Sequence, residues 1–370
     1  MKKFRYESVF ANASYQFCGH VDEYLIANTR HLGLFYTETR FGQKNHCLRL
    51  YEEGRLVFEK EMPSSHNIFL FYFLFFWYHN VELWRFAARQ KECTIVFSGH
   101  PVTLFGLALQ KLFHKLAYVY WIGDYFPSRR LIIRAFERVK KFYHDQVDFR
   151  CYLSDAINRV MNGTVRAEPA RRTISWGLKL YPGCEVDRGA SRQLLFVGLL
   201  RNGQGLDKIV AFIAANPEYR LAIIGEAAAG YDHEVRRFID EHKVGDRVFF
   251  PNRFYSQEEL LVEAKRSFAG IALYDLSADN FTHYADPGKV KAYVEMGLPV
   301  IMTRISDVVK KIEEFRAGEI VDSADGVGEA ARKIAAHGAD YRRGVLAMAA
   351  YFGYDRYYGD SFAALEEVGR

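Results

Sequence analysis

The chain has 370 residues, 49% apolar and 26% charged, which excludes a disordered tract and fits two globular domains that each bury a core. Its five cysteines, Cys18, Cys47, Cys93, Cys151 and Cys184, are scattered and without a CxxC pair, so neither a disulfide framework nor a zinc site is expected and a reducing cytoplasm fits. The net charge of +5 divides into roughly +9 up to residue 185 and roughly −4 beyond it; with no arginine-rich run or nucleic-acid module, the basic half points to an anionic membrane surface or an acidic substrate rather than nucleic acid.

The basic start, Lys2, Lys3 and Arg5, runs into Glu7, Asn12 and Ser14, so no signal peptide is expected. Ser8 to Ala11 reads as a short strand, followed by a polar loop from Asn12 to His20 and a helical pattern through Leu32. A loop at the carboxyl end of a first strand is where an open α/β sheet binds ligand, which makes Asn12, Tyr15 and His20 acceptor-side candidates. Residues 33 to 61 alternate as β structure with a turn at Glu52, Glu53 and Gly54. Ile68 to Tyr78 is an uncharged run of aromatic and large aliphatic residues, shorter than the about 20 needed to span a bilayer. It suits a core helix or a monotopic dip, and Trp77, Tyr78 and Trp84 are side chains that favour a headgroup zone.

Cys93 to Phe97 is a buried-strand signal that ends in Ser98, Gly99 and His100, with a helix from Pro101. Tyr118 to Ile122 repeats the design and ends in Gly123 and Asp124. The alternation predicts a parallel doubly wound sheet with His100 and Asp124 at one edge. Asp124 is placed to act as a general base toward an acceptor hydroxyl, or alternatively as a turn or helix N-cap aspartate. From Arg129 to Tyr143, Arg130, Arg134, Arg138 and Lys141 form one stripe of an amphipathic helix, suited to anionic headgroups or to a solvated face. Arg150 to Leu153 reads as the last strand of the front domain.

In the back half Leu194 to Val197 is a strand, Gly198 to Gly205 a glycine-rich loop, and Leu206 to Ala215 a helix. The glycines let backbone N–H groups approach a pyrophosphate, with Arg201, Gln204 and Lys208 as further donors. Strands follow at Leu221 to Ile224, ending in Gly225 and Glu226, at Arg247 to Phe250, ending near Arg253, and at Ala269 to Leu273. Then comes Tyr284 to Met302. Pro287 and Gly288 make a turn, Lys289 sits in the first turn of a helix whose free N–H groups favour an anion, Gly297 stops that helix, and Val300 to Met302 is a buried strand. A surface lysine beside an ordinary loop is the plainer alternative.

Lys289, Tyr293, Gly297, Pro299 and Val300 match a Lys-x-x-x-Tyr-x-x-x-Gly-x-Pro-Val pattern, and here the chain resembles the donor-binding half of GT-B glycosyltransferases. Val197-Gly198-Leu199-Leu200, Gln204-Gly205, Ile223-Ile224-Gly225 and Asp246-Arg247-Val248 extend the likeness toward the large family 4 type. Departures are Leu199 for an arginine, Gln204 for a lysine, and Tyr284 with Ala292 for a glutamate pair. They remove the expected ribose contact and leave that family's retaining mechanism without its residues. A narrower likeness, through Tyr284-Ala285-Asp286, Lys289, Tyr293, Gly297-Leu298-Pro299 and Val119-Tyr120 before Asp124, is to inverting, membrane-associated glucuronosyltransferases of exopolysaccharide synthesis. There a carboxylate at the place of Asp124 is the base.

The resemblance implies an α/β chain of two Rossmann-like doubly wound domains facing a central cleft. Residues 1–180 would bind acceptor, 181–193 would link, 194–350 would bind the nucleotide sugar, and 351–370 would form a helix packing back toward the first domain. The catalytic candidates are Asp124 and His100. The donor-binding candidates are Gly198, Arg201, Gln204, Gly205, Gly225, Arg253, Tyr284 and Lys289. The expected activity moves a sugar from a nucleotide sugar, a UDP-sugar by preference, to a saccharide or lipid-linked saccharide, as in cell-surface polysaccharide synthesis. No Asp-x-Asp metal pair is present, so neither metal nor other cofactor is expected, and the protein is placed in the cytoplasm or on the inner membrane face. A nucleotide-sugar 2-epimerase and a non-catalytic two-domain sugar-binding protein are the competing readings.

Overall fold

The computed structural model describes residues 4–13, 19–40, 43–128, 130–183, 191–277 and 280–368. It divides into two compact units, Met1–Gly177 with Tyr354–Arg370, and Leu178–Gly353.

Unit 1 carries β1 (Tyr6–Asn12), α1 (Val21–Asn28), β2 (Thr29–Arg40), β3 (Gln43–Glu52), β4 (Arg55–Pro63), α2 (Ile68–Ala87), β5 (Thr94–Ser98), α3 (Leu107–Phe113), β6 (Leu116–Ile122), α4 (Leu131–His144), β7 (Phe149–Tyr152), α5 (Asp155–Asn162) and β8 (Arg171–Thr173). The strands form one sheet in the order β4-β3-β2-β1-β5-β6-β7-β8. From β2 to β8 they run parallel, while β2, β3 and β4 are joined as antiparallel hairpins. The turn at Glu53 (φ 50°) and Gly54 (φ 82°) is left-handed at both residues, which is the hairpin geometry that matches strand twist. Every residue of β5 and β6 is buried, as befits central parallel strands covered on both faces.

Two expectations need correction here. The first helix ends at Asn28 rather than Leu32, because Thr29 takes extended backbone and pairs with Tyr6, so the chain turns directly into β2. The stretch from Arg150 is not the last strand of the unit, since Arg171–Thr173 adds β8 beside β7. The aromatic run does form a helix with a core face: it is the first half of the 20-residue α2, whose Phe71, Phe75, His79 and Leu83 are buried. No helix among the described residues is long and apolar enough to cross a membrane.

Unit 2 carries β9 (Gln193–Val197), α6 (Leu206–Ala215), β10 (Arg220–Ile224), α7 (Tyr231–Glu241), β11 (Val248–Phe249), α8 (Gln257–Arg266), β12 (Ser267–Ala272), α9 (Gly288–Glu295), β13 (Val300–Thr303) and β14 (Gly318–Val321). Its sheet is wholly parallel in the order β11-β10-β9-β12-β13-β14. Counted within the unit this is 3-2-1-4-5-6, with the chain reversing direction across the sheet between β9 and β12. Ligands of open α/β sheets bind outside the carboxyl ends of the strands at that switch point. In unit 1 the corresponding reversal lies between β1 and β5. A core of Leu194, Phe196, Ile209, Ile213, Leu221, Ile223 and Val235 glues α6 and α7 to the sheet of unit 2.

Candidate active site

In unit 2 the loops after β9 and β12 flank the switch point. Gly198 N–H donates to the Ile224 carbonyl (3.0 Å), and Leu200 exchanges backbone bonds with Glu226 and Ala228 (both 2.9 Å), so the glycine loop lies against the loop after β10. Gly225 (φ 154°) is required there, because a Cβ would overlap the Gly198 carbonyl oxygen. Gly205 (φ 68°) caps α6 in the left-handed region, and a Cβ there would overlap the Leu273 carbonyl oxygen. The loop can therefore approach a ligand with bare backbone.

Lys289 stands in the first turn of α9, whose N-cap residue, Pro287, offers no side-chain acceptor to the free N–H groups. Its Nζ donates to Gln204 Oε1 at 3.2 Å and lies 3.7 Å from the ring centre of Phe196 and 5.3 Å from that of Tyr274. Among the described residues no carboxylate pairs with it. Burial, and then the charge of Arg201, hold its pKa well below the ordinary lysine value. Arg201 is exposed and lies 4.5 Å over the ring of Phe281. Among the described residues no carboxylate pairs with either of these two basic side chains at the switch point.

Lys291, two residues on, shows what a purely structural lysine looks like here. Its Nζ is 3.5 Å from Asp286 Oδ2, both side chains are buried, and it rests 3.4 Å over the ring of Phe352. Tyr293 ties α9 to the sheet: Val197 N–H donates to its hydroxyl (3.2 Å), which donates to the Ile271 carbonyl (2.9 Å). Lys289 is thereby held on a helix bolted across β9 and β12. Gly225 and Arg253 meet in a backbone bridge at the same sheet end, but the guanidinium of Arg253 forms a bidentate pair with Glu259 (2.6 and 3.1 Å), so its charge is already compensated. Tyr284 is half-buried just before α9. Phe196, Tyr274 and Phe281, the rings around the two cations, are missing from the sequence-derived site; Phe196 sits in a strand that reads as core.

In unit 1, Asn12, Ser98 and the loop of Asp124 lie at the carboxyl ends of neighbouring strands, with Asn12 paired to Ser98 and Ser98 to Tyr120. Asn12 is buried, and its Oδ1 accepts from the Ser98 and Thr103 hydroxyls (3.2 and 3.3 Å). Its Nδ2 has no partner among the described residues. Asp124 is exposed and does not cap a helix, since α4 begins only after Arg130. Its backbone carbonyl accepts from Lys140 Nζ at 2.6 Å, and Lys140 also bonds Glu137 Oε1 at 2.8 Å. Buried Lys140, paired with half-buried Glu137, straps the Asp124 loop to α4.

His100 reaches the same edge but turns its ring inward. It stacks on Tyr72 at 5.1 Å, and its Nδ1 accepts from Val102 N–H at 3.3 Å. Burial first, then Lys140, push its pKa down to about 3, so it is a neutral, positioned ring rather than a proton acceptor near pH 7. His20, in left-handed backbone (φ 58°), bonds Glu23 Oε1 at 2.9 Å and packs its ring 5.4 Å from Tyr354. Tyr15 lies outside the described residues. Among the described residues no three His, Cys, Asp or Glu side chains gather as metal ligands.

No protein-family model matches the sequence, and no curated protein matches it. In three dimensions the chain is similar to sucrose-phosphate synthase from Thermosynechococcus elongatus, with a TM-score of 0.68 at 12% identity over 97% of this chain and 99% of that one. The chain has the GT-B glycosyltransferase fold. Two further structures of this GT-B class match over almost their whole length. One is the lipopolysaccharide outer core galactosyltransferase WaaB (TM-score 0.64, 12% identity, 97% of this chain and 99% of that one). The other is HepE from Anabaena, solved with UDP (TM-score 0.63, 12% identity, 98% of each chain).

Proposed function

We propose that this protein is a glycosyltransferase that moves a sugar from a nucleotide-sugar donor, a UDP-sugar by preference, to a hydroxyl of a glycan or lipid-linked saccharide. The observation that carries this reading is Lys289: a lysine whose pKa is depressed by burial and a neighbouring arginine, with no carboxylate on it among the described residues, on a helix N-terminus beside a glycine loop. A diphosphate placed there would restore its charge and occupy the bare N–H groups. The GT-B fold, and the UDP in the HepE structure, support a nucleotide as the ligand.

In this reading unit 2 holds the donor. Lys289, Arg201, the Gly198–Gly205 backbone and the α9 N-terminus neutralise charge that grows on the departing diphosphate, so the chain's own cations serve where other transferases use a metal. Asp124 in unit 1 takes the proton of the acceptor hydroxyl as that oxygen bonds the anomeric carbon. The carbon–oxygen bond to the diphosphate breaks, and the nucleoside diphosphate leaves with the bonding electrons. A single in-line displacement of this kind inverts the anomeric centre.

The test is calorimetric titration with UDP and a panel of other nucleoside diphosphates. One nucleotide should bind, and Lys289→Ala should weaken it by about 10- to 100-fold, the worth of a charge-assisted contact. Asp124→Asn should leave that affinity unchanged and lower transfer by about 10²- to 10⁴-fold. Equal nucleotide affinity in the native chain and Lys289→Ala sinks the donor site, and undiminished turnover in Asp124→Asn sinks the base.

A further inference from the structure

Three adjoining helices of unit 1 leave large apolar side chains in solvent. In α2, Phe69 is 79% and Trp77 55% exposed; in α3, Leu112 is 79% exposed; at the start of α4, Leu131 and Ile132 are each 78% exposed. Ring contacts show that these helices adjoin. Phe76 of α2 meets Phe105, in the short helix before α3, at 6.3 Å; Trp84 meets Phe113 at 5.0 Å; Phe105 meets Tyr143 of α4 at 5.4 Å. Isolated exposed leucines need no explanation, but several large apolar side chains exposed together on adjoining helices mark an interaction surface.

Within the three helices the exposed charges have one sign. The only carboxylates within α2, α3 and α4 are Glu82 and Glu137, and both are drawn inward onto cations, Glu82 to Lys60 (3.1 Å) and Arg85 (2.9 Å), Glu137 to Lys140 (2.8 Å). Arg134, Arg138 and Lys141 are exposed on α4 and form no ion pair among the described residues. Exposed apolar side chains on helices whose own exposed charges are all cationic complement an anionic bilayer surface, where acyl chains take the first and headgroup phosphates the second. The α2 helix cannot cross the bilayer, and its inner face is committed to the core through Phe71, Phe75 and Leu83, so it can only lie in the interface plane.

We propose that this face docks on a membrane carrying anionic lipid. The placement has a consequence for the acceptor, which rests on the reading of Asp124 as base. Asp124 precedes the exposed Leu131–Ile132 pair by only seven residues, and Lys140 straps its loop to α4. A bilayer touching the start of α4 brings its headgroup zone to the edge where Asp124 stands. The acceptor class this favours is a saccharide on a lipid.

The test is flotation of the full chain with vesicles of phosphatidylcholine alone and with about a third phosphatidylglycerol, with Trp77 and Trp84 emission as a second readout. Binding should require the anionic vesicles and shift the emission to the blue. Leu112→Ser with Leu131→Ser and Ile132→Ser should lower partitioning by about tenfold or more, and Arg134→Glu with Arg138→Glu should abolish the preference for phosphatidylglycerol. Both variants should keep native UDP affinity, which separates loss of docking from loss of the donor site. Absence of flotation with either vesicle, or equal partitioning by all three proteins, overturns the proposal. So does sedimentation showing that the face instead joins two copies of the chain.

Discussion

Lys289 and Lys291 occupy one helix two residues apart and have opposite fates. Lys291 has Asp286 and the face of Phe352; Lys289 has the amide oxygen of Gln204, two aromatic rings and a repelling guanidinium. An anion that enters raises the pKa of Lys289, so binding takes up a proton whenever the free lysine is partly neutral. The affinity for UDP should therefore weaken as pH rises from about 7 to about 9, a range in which the diphosphate itself is already ionised. Titrations in buffers of different ionisation enthalpy measure the uptake directly. Lys289→Ala should remove both the pH slope and the uptake, and a native slope of zero would mean that the lysine does not change protonation when the ligand binds. Lys289 was legible in the sequence because a Pro-Gly turn, a lysine and a helix stop at fixed spacing carry a local chemical meaning. The rings around it were not, since Phe196 lies more than 90 residues earlier in a strand indistinguishable from core. His100 shows the converse. Its strand-end position was readable, but the Tyr72 ring that captures its imidazole comes from a distant helix.

At the scale of elements, α4 does two jobs through opposite faces. Its exposed stripe of Arg134, Arg138 and Lys141 was visible from periodicity alone. Lys140 stands next to that stripe yet is buried, and bonds the carbonyl of Asp124 and the carboxylate of Glu137. Lys140→Met should leave Glu137 without its cation and destabilise unit 1 by about 3 kcal/mol in urea unfolding. Adding Glu137→Leu should recover most of that loss, because a buried pair replaced whole by apolar groups is nearly neutral. Transfer should stay depressed in both, since neither restores the tether on the Asp124 loop. Native turnover in the double variant would show that the tether does not position Asp124. Element boundaries failed where pairing overrode local pattern. β8 is three residues, Arg171–Thr173, polar enough to pass for loop, and β14 carries Glu319 in its middle; each is a strand because a parallel neighbour supplies its ladder.

Across the whole molecule the two units carry different vulnerabilities, and unfolding should reveal them. His46, His79 and His100 all lie in unit 1, and burial lowers their pKa values to about 4, about 3 and about 3, with Lys140 assisting at His100. Neither ring nitrogen of His79 finds a hydrogen-bond partner among the described residues. The folded unit therefore holds neutral imidazoles, while the unfolded chain protonates them below about pH 6.5. More protons on the unfolded state mean that stability is fully present above that pH and falls as pH drops toward the folded values, by about 4 kcal/mol for the three at about pH 5.5. Unit 2 is the one that a nucleotide would protect, by about 2.7 kcal/mol at a hundred times its dissociation constant. All four tryptophans, Trp77, Trp84, Trp121 and Trp176, belong to unit 1, so their fluorescence reports that unit while far-ultraviolet circular dichroism reports both. Acid should lower the fluorescence midpoint in urea more than the dichroism midpoint. UDP should delay part of the dichroism transition and leave the fluorescence where it is. If the two probes instead move together under acid and under UDP, the units unfold as one, and a ligand on unit 2 stabilises unit 1 as much as its own unit.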